Sequence, residues 1–273
     1  MHHREWSHGT RLGQNFLKDM GIASQIVAAA TALRPTIAVE IGPGKGAITF
    51  SLARQVERLT AIERDEALAA RIARETSELG NVEVLEDDAM RVDFRGLIGG
   101  SGEGAVLVAN LPYYLSTDML RKAFQEAAFK RMVFMLQLEV ARKVCAPAGR
   151  DGYGPLAVAR WLSHDADILF EVPARAFDPV PSVKSAVVMI KRVEPRSPLT
   201  YDRLMKFTDA AFMARRKNIK NALLGSPLRP DAGLVADALA EAGLAGTERA
   251  EEIPQEKLAC LAMRLTEEPP AIS

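Results

Sequence analysis

Between about residue 37 and residue 190, short apolar runs rich in β-branched side chains alternate with longer amphipathic stretches. The apolar runs cover residues 37–41, 58–62, 82–85, 105–109 and 131–136 and read as strands. Stretches at 47–55, 66–79, 117–127 and 138–145 have the spacing of helices. This alternation predicts βαβ units and an α/β fold, a doubly wound and mostly parallel sheet that receives ligands beyond the carboxyl ends of its strands. Runs at 166–172 and 185–192 predict a closing pair of strands. Pro195 and Pro198 mark a linker, after which 201–214, 217–224, 232–241 and 255–265 all read as helix. The expected organisation is a main domain over residues 1–195 and a small, separate, all-helical domain over 196–273.

Composition adds limits. Of 273 residues 48% are apolar and only 6% aromatic, and the formal net charge is zero. A sizeable core is available, and a uniformly basic nucleic-acid wrapper is excluded, so contact with RNA has to come from local patches. One such patch is present. Residues 200–225 carry six Lys/Arg against two Asp/Glu, whereas 226–273 carry four against nine. Cys145 and Cys260 are too far apart in sequence for a CxxC pair, and His2, His3, His8 and His164 lack metal-ligand spacing. No metal site and no disulfide are expected. No apolar segment is long enough to span a bilayer and no signal-peptide apolar region opens the chain, so the expectation is a cytoplasmic protein without a membrane partner.

Glu40-Ile41-Gly42-Pro43-Gly44-Lys45-Gly46 closes the first strand and opens the next helix. Its GxGxG spacing is neither the dinucleotide fingerprint nor the phosphate loop. Gly42 and Gly44 permit a tight turn and a close approach of backbone to ligand. Acidic residues follow the sheet: Glu40 before the loop, Glu63 at the end of the second strand, Asp88 at the end of the third. A carboxylate at Glu63 can hold a ribose diol, and Asp88 can accept from an adenine amino group. Taken singly such acids read as solvated loop residues. Together they suit a nucleoside bearing a cationic sulfonium better than a pyrophosphate, which points to S-adenosyl-L-methionine.

Asn110-Leu111-Pro112-Tyr113 follows the fourth strand. Adenine N6 is a poor nucleophile because its lone pair is delocalised into the ring. Acceptors for both of its N–H groups favour a more tetrahedral nitrogen. The Asn110 side-chain oxygen and the Leu111 carbonyl are suitable acceptors, with Pro112 biasing Leu111 toward an extended conformation. Tyr113 offers a face for the base. The bland alternative is a strand-ending turn, for which Asn and Pro are ordinary residues. Phe177 opens the proline-spaced loop Phe177-Asp178-Pro179-Val180-Pro181-Ser182-Val183 and is a candidate for the second face of an aromatic sandwich, or else a core residue. Arg215, Arg216, Lys217 and Lys220 lie within six residues and are candidates for phosphate contact, or a solvated helix face.

The order of these motifs resembles the ribosomal RNA small-subunit adenine dimethyltransferase family over nearly the whole chain. Gly13-Gln14-Asn15-Phe16-Leu17 is similar to the family's N-terminal motif, and Phe212-Met213-Ala214-Arg215-Arg216-Lys217 to its basic C-terminal signature. The resemblance implies a Rossmann-like class I methyltransferase fold. It implies that Asn15, Leu17, Gly42, Glu63, Asp88 and Asn110 contact S-adenosylmethionine, and that Asn110–Tyr113 is the catalytic tetrapeptide. The implied substrate is a pair of adjacent adenosines in a 3′-terminal hairpin of small-subunit RNA within a 30S-type particle, methylated at N6 by a monomer that also serves subunit assembly. Departures are minor: Asp87 is more acidic than is usual in the family, and residues 99–104 look like a loop elaboration. Family relatives leave two alternatives open, a resistance-type enzyme of large-subunit RNA and a mainly non-catalytic assembly or transcription factor. A DNA adenine methyltransferase would share the tetrapeptide, whereas a small-molecule methyltransferase would need neither it nor the basic helix.

Overall fold

The computed structural model describes residues 15–100 and 102–266. Gly13 and Gln14 of the N-terminal motif, together with His2, His3 and His8, lie outside the described residues, as does the tail from 267. In chain order the elements are β1 (Phe16–Leu17), α1 (Met20–Thr31), β2 (Ile37–Ile41), α2 (Thr49–Ala53), β3 (Arg58–Glu63), α3 (Glu66–Thr76), β4 (Val82–Glu86), α4 (Phe94–Ile98) and β5 (Ala105–Asn110). They continue with α5 (Ser116–Glu126), β6 (Arg131–Gln137), α6 (Leu138–Cys145), α7 (Pro155–Trp161), β7 (His164–Val172), β8 (Phe177–Asp178) and β9 (Ser185–Arg192). Four helices follow: α8 (Tyr201–Phe212), α9 (Ile219–Leu224), α10 (Ala232–Glu241) and α11 (Gln255–Leu265).

Seven strands form one sheet in the order β4-β3-β2-β5-β6-β9-β7. The first five are parallel, and β9 pairs antiparallel with both β6 and β7. The expected doubly wound sheet is therefore present, with 166–172 and 185–192 as its closing pair. Because side chains alternate across a strand, β5, β6 and β9 each feed two cores. Leu107, Phe134 and Val188 face one cluster with Leu120 and Phe124 of α5. Val108, Val133 and Val187 face the other with Ile26 and Val27 of α1. Strands buried on both faces read as the near-continuous apolar runs that made them visible. The order reverses between β2 and β5, so the carboxyl ends of these neighbours form the crevice of an open α/β sheet.

Several elements were not anticipated. Helix α1 begins where the Asp19 carboxylate accepts the Gly21 and Ile22 N–H groups at 2.9 and 3.1 Å. Its four buried residues, Ala23, Ile26, Val27 and Ala30, cover the sheet. Helix α7 starts after Gly154 with Pro155 in its first turn, so it did carry a local start signal, an N-terminal proline, that the strand-and-helix pattern above did not use. The two-residue strands β1 and β8 pair antiparallel, Leu17 opposite Phe177, and form a ladder outside the main sheet.

The C-terminal helices share their apolar cluster with the stretch 146–162, including Tyr153, Val158 and Trp161, packed with Phe207, Leu223 and Leu258. The Tyr153 hydroxyl donates to the Ile253 carbonyl at 2.9 Å, and Gly149 N–H donates to the Glu251 carbonyl, also at 2.9 Å. The strand β7 begins two residues earlier than its apolar run suggests, at the fully buried His164. Burial, and the nearby Arg192, Arg160 and Arg196, push its imidazole down to about 3 and keep it neutral.

Candidate active site

The loop after β2 and the tetrapeptide after β5 meet because their strands are neighbours in register, Ile41 opposite Ala109. Gly42 adopts φ +71°, donates its N–H to the Ile62 carbonyl at 3.0 Å, and passes so close to the tetrapeptide that a Cβ would stand 2.8 Å from the Asn110 carbonyl oxygen. Gly44, at φ +55°, leaves room for the Phe16 ring, which a Cβ would meet at 3.0 Å. Only glycine combines these angles with this approach.

The result is a cleft of about 710 Å³, counting the solvent in its mouth, lined by polar and apolar atoms in similar measure. Asn15, Leu17, Gly42, Gly44, Glu63, Asn110, Leu111, Pro112, Tyr113 and Phe177 all line it, so ten of the expected site residues converge. Asp88 does not. The strand β4 ends at Glu86, the Asp87 N–H making the last ladder bond to the Glu63 carbonyl, so Asp88 lies in the loop beyond the strand. The Asp88 carboxylate accepts the Met90 N–H at 3.0 Å and faces Arg64 at 3.6 Å.

Two carboxylates border the cleft in different surroundings. At the end of β3, Glu63 is 6% exposed and accepts three backbone N–H groups: Gly44 at 3.2 Å, Arg64 at 2.9 Å and Asp65 at 3.0 Å. Burial raises its affinity for a proton and those hydrogen bonds oppose the shift. The side chain thus stitches the glycine loop to β3 while keeping acceptor capacity for a ligand, since each carboxylate oxygen has two lone pairs. On β2, Glu40 is pushed up to about 7, first by complete burial, with the Thr49 hydroxyl opposing and the Glu63 charge adding. Its Oε2 is buried and has no hydrogen-bond partner among the described residues. A buried carboxylate left unpaired is costly unless protonated or met by a cation.

At the tetrapeptide, Pro112 is extended and its carbonyl accepts the Leu115 N–H at 3.0 Å, closing a short 3-10 turn over Tyr113–Leu115. Tyr113 is half-buried and its hydroxyl lies 3.1 Å from the Ser185 hydroxyl of β9, which fixes the ring from behind. Phe177 is 1% exposed. Phe177 packs in the core with Leu17 and Val187 and also lines the cleft, so it meets both of its readings, wall of the cleft and core residue.

Sequence reasoning missed Phe16, Lys45, Ala47 and Ile48, which also line the cleft. The Lys45 ammonium sits 4.6 Å from the centre of the Phe16 ring, a cation–π contact between the glycine loop and β1. Both residues lay inside quoted motifs, and only their meeting in space was hidden. Among the described residues no cluster of His, Cys, Asp and Glu could hold a metal ion, and no helix is long and apolar enough to cross a membrane.

The basic residues are elsewhere. Arg215, Arg216 and Lys217 occupy the turn between α8 and α9, Lys220 lies on α9, and all four are exposed. Arg215 is not without an acid, since its guanidinium stands 3.5 Å from the Glu251 carboxylate. No acid is near in sequence; the fold brings one from 36 residues away.

Residues 7–261 match the family model for ribosomal RNA adenine dimethylase. A relative from Acidobacterium capsulatum, named ribosomal RNA small subunit methyltransferase A, is 40% identical over 93% of this chain and 90% of its own length. One of the same name from Pelotomaculum thermopropionicum is 37% identical over 92% and 89%. The crystal structure of the 23S rRNA methyltransferase ErmE superposes with a TM-score of 0.70 at 25% identity, covering 93% of this chain and all of that one. A dimethyladenosine transferase from Plasmodium falciparum, at 23% identity, shares the fold with a TM-score of 0.78 over 90% and 95%. With a doubly wound sheet, a glycine-walled cleft at its switch point and a match across nearly its whole length, the chain belongs to the ribosomal RNA adenine dimethylase family.

Proposed function

We propose that this enzyme transfers methyl groups from S-adenosylmethionine to N6 of two adjacent adenosines in a 3′-terminal hairpin of small-subunit ribosomal RNA, acting on a 30S-type particle. One observation carries the reading: the tetrapeptide Asn110–Tyr113 and the carboxylate-bordered glycine loop open into a single cleft. When bound, S-adenosylmethionine supplies an electrophilic methyl group on a sulfonium.

The residues present fit that molecule. Gly42 and Gly44 leave a backbone cradle that a Cβ would fill. Glu63 retains acceptor capacity for ribose hydroxyls, and the unpartnered Glu40 Oε2 suits a ligand bearing positive charge. Asn15, Leu17 and Asn110 complete the wall. Asp88 is proposed to meet the cofactor's adenine amino group on the resemblance alone, since it stands outside the lining.

In the tetrapeptide, the Asn110 side-chain oxygen and the Leu111 carbonyl accept from the N6 amine and free its lone pair, an interaction that strengthens as the nitrogen becomes tetrahedral. Tyr113, with its hydroxyl held by Ser185, gives the base a face. No strong base is required, because the amine proton becomes acidic once the methyl has arrived. The helices over 196–273 form an RNA- and ribosome-binding domain through the basic turn before α9, and the enzyme works in the cytoplasm as a monomer.

Relatives named for the small subunit favour that substrate over large-subunit RNA. The test is incubation of the protein with labelled cofactor and under-methylated small subunits, followed by mapping of the modified bases. Label at two adjacent adenines as N6,N6-dimethyladenine supports the reading. Label only in large-subunit RNA overturns the choice of substrate, and binding of the particle without transfer overturns the catalytic role.

A further inference from the structure

Tyr114 stands beside the cleft without taking part in it. It is 53% exposed, and its side chain makes no hydrogen bond, ion pair or ring contact among the described residues. Tyr113 and Tyr114 belong to one 3-10 turn, in which successive side chains diverge by about 120°. Tyr113 lines the cleft and is tied to Ser185, whereas the exposed Tyr114 is outside the lining. The loop that leaves Phe177 carries Val180 and Val183, 61% and 41% exposed. A scattered surface hydrophobe needs no explanation. Three on two segments that both issue from one cleft do.

We propose that the Tyr114 ring stacks on the base next to the target adenosine, with Val180 and Val183 as an apolar rim. The inference rests on the reading of the cleft as an adenine-N6 site in RNA. A base that undergoes chemistry has to leave its stack, which strips its neighbour of a stacking partner. Single-stranded RNA segments are held by just such splayed bases lying on aromatic rings. An open tyrosine one residue from the pocket replaces the lost stack and holds the chain at fixed distance from the cleft, consecutive Cα atoms being about 3.8 Å apart. Where two adjacent adenosines are both substrates, the base on Tyr114 is the second target, held while the first occupies the cleft. Stacking tolerates any base and needs the ring, not the hydroxyl.

The test measures filter-binding affinity and KM for under-methylated small subunits, with calorimetric cofactor affinity alongside, for Tyr114→Ala, Tyr114→Phe, Tyr114→Trp and Tyr114→Leu. The exposed position makes all four compatible with folding. The alanine variant should lose about 5- to 150-fold in particle affinity, the range for removing one base–aromatic stack. Phenylalanine and tryptophan should stay within about twofold of wild type, leucine should resemble alanine, and cofactor affinity should not change. An alanine variant that binds like wild type overturns the proposal. So does phenylalanine losing as much as alanine, which would assign the effect to the hydroxyl. Leucine restoring full affinity also overturns it, because an apolar contact to ribosomal protein would then suffice. A wild-type enzyme that binds subunits and methylates no adenine refutes the proposed function instead, and the two failures are read separately.

Discussion

Two glutamates with different surroundings carry the sharpest expectations for single residues. Because Glu63 both stitches the Gly44 N–H and faces the cleft, its neutral isostere is the informative change. Glu63→Gln should keep the fold and weaken S-adenosylmethionine binding at least about tenfold, since hydrogen bonds to a charged group contribute roughly 1.5–3 kcal/mol. Calorimetry giving wild-type affinity in a folded variant would remove Glu63 from the site. Glu40 acts through pH. Its carboxyl titrates near 7 folded and at 4.5 by ordinary value, so between these limits the folded chain binds the proton more tightly than the unfolded one. Stability from this group is therefore fully present below pH 4.5 and is lost as pH rises through about 7. The loss amounts to about 3 kcal/mol at most, at 1.36 kcal/mol per unit. Denaturant unfolding without cofactor should show Glu40→Gln gaining on wild type from pH 4.5 to pH 8. A constant difference across that range would mean Glu40 is not the titrating group.

Among elements, the contact between the loop after β2 and the end of β5 joins the proposed cofactor cradle to the proposed catalytic tetrapeptide. Gly42→Ala would force a left-handed residue, at about 1–2 kcal/mol, and drive a methyl against the Asn110 carbonyl, 2.8 Å away. Gly80 supplies the control, with the same φ of +71° and nothing within 4 Å. Gly80→Ala should lose only the backbone increment and retain full activity. Gly42→Ala should lose more stability, and both cofactor affinity and methyl transfer should drop. Equal behaviour of the two variants in unfolding and kinetic assays would show that the loop and the tetrapeptide are independent. The elements visible in sequence were those whose signal is local: strands β2 and β9 and helices α6, α10 and α11 have the bounds that periodicity predicts. The short pair β1 and β8 has no such signal. Two residues cannot display a period, and Leu17 meets Phe177 only after the intervening sheet has formed.

At the scale of the molecule, charge is distributed by folding as much as by sequence. Arg215 already has Glu251 at 3.5 Å, whereas no ion pair is formed by Arg216 or Lys217 among the described residues. If the turn before α9 grips phosphates, Arg216→Ala and Lys217→Ala should each lower the salt slope of particle binding by about 0.7–0.9, with cofactor affinity untouched. Arg215→Ala should lower it less, because its guanidinium is already paired with Glu251 and offers less charge to a phosphate. Slopes identical to wild type for Arg216→Ala and Lys217→Ala would leave the turn a solvated surface. The same scale governs packing of the helical region, whose apolar cluster includes Tyr153 and Trp161 from before β7.

What the sequence determined by itself is the sheet, its parallel order of βαβ units, and the sequence of motifs that ends at Asn110–Tyr113. These follow from alternation of side chains, from glycine's access to positive φ and from residue types whose chemistry is intrinsic. Only the tertiary structure decided that Asp88 stays outside the cleft, that Phe16 and Lys45 enter it, and that Glu40 is buried deeply enough to titrate near neutrality. Each of those depends on pairings between residues distant along the chain. Burial, distance and the presence of a counter-charge are properties of such pairings, and no local pattern encodes them.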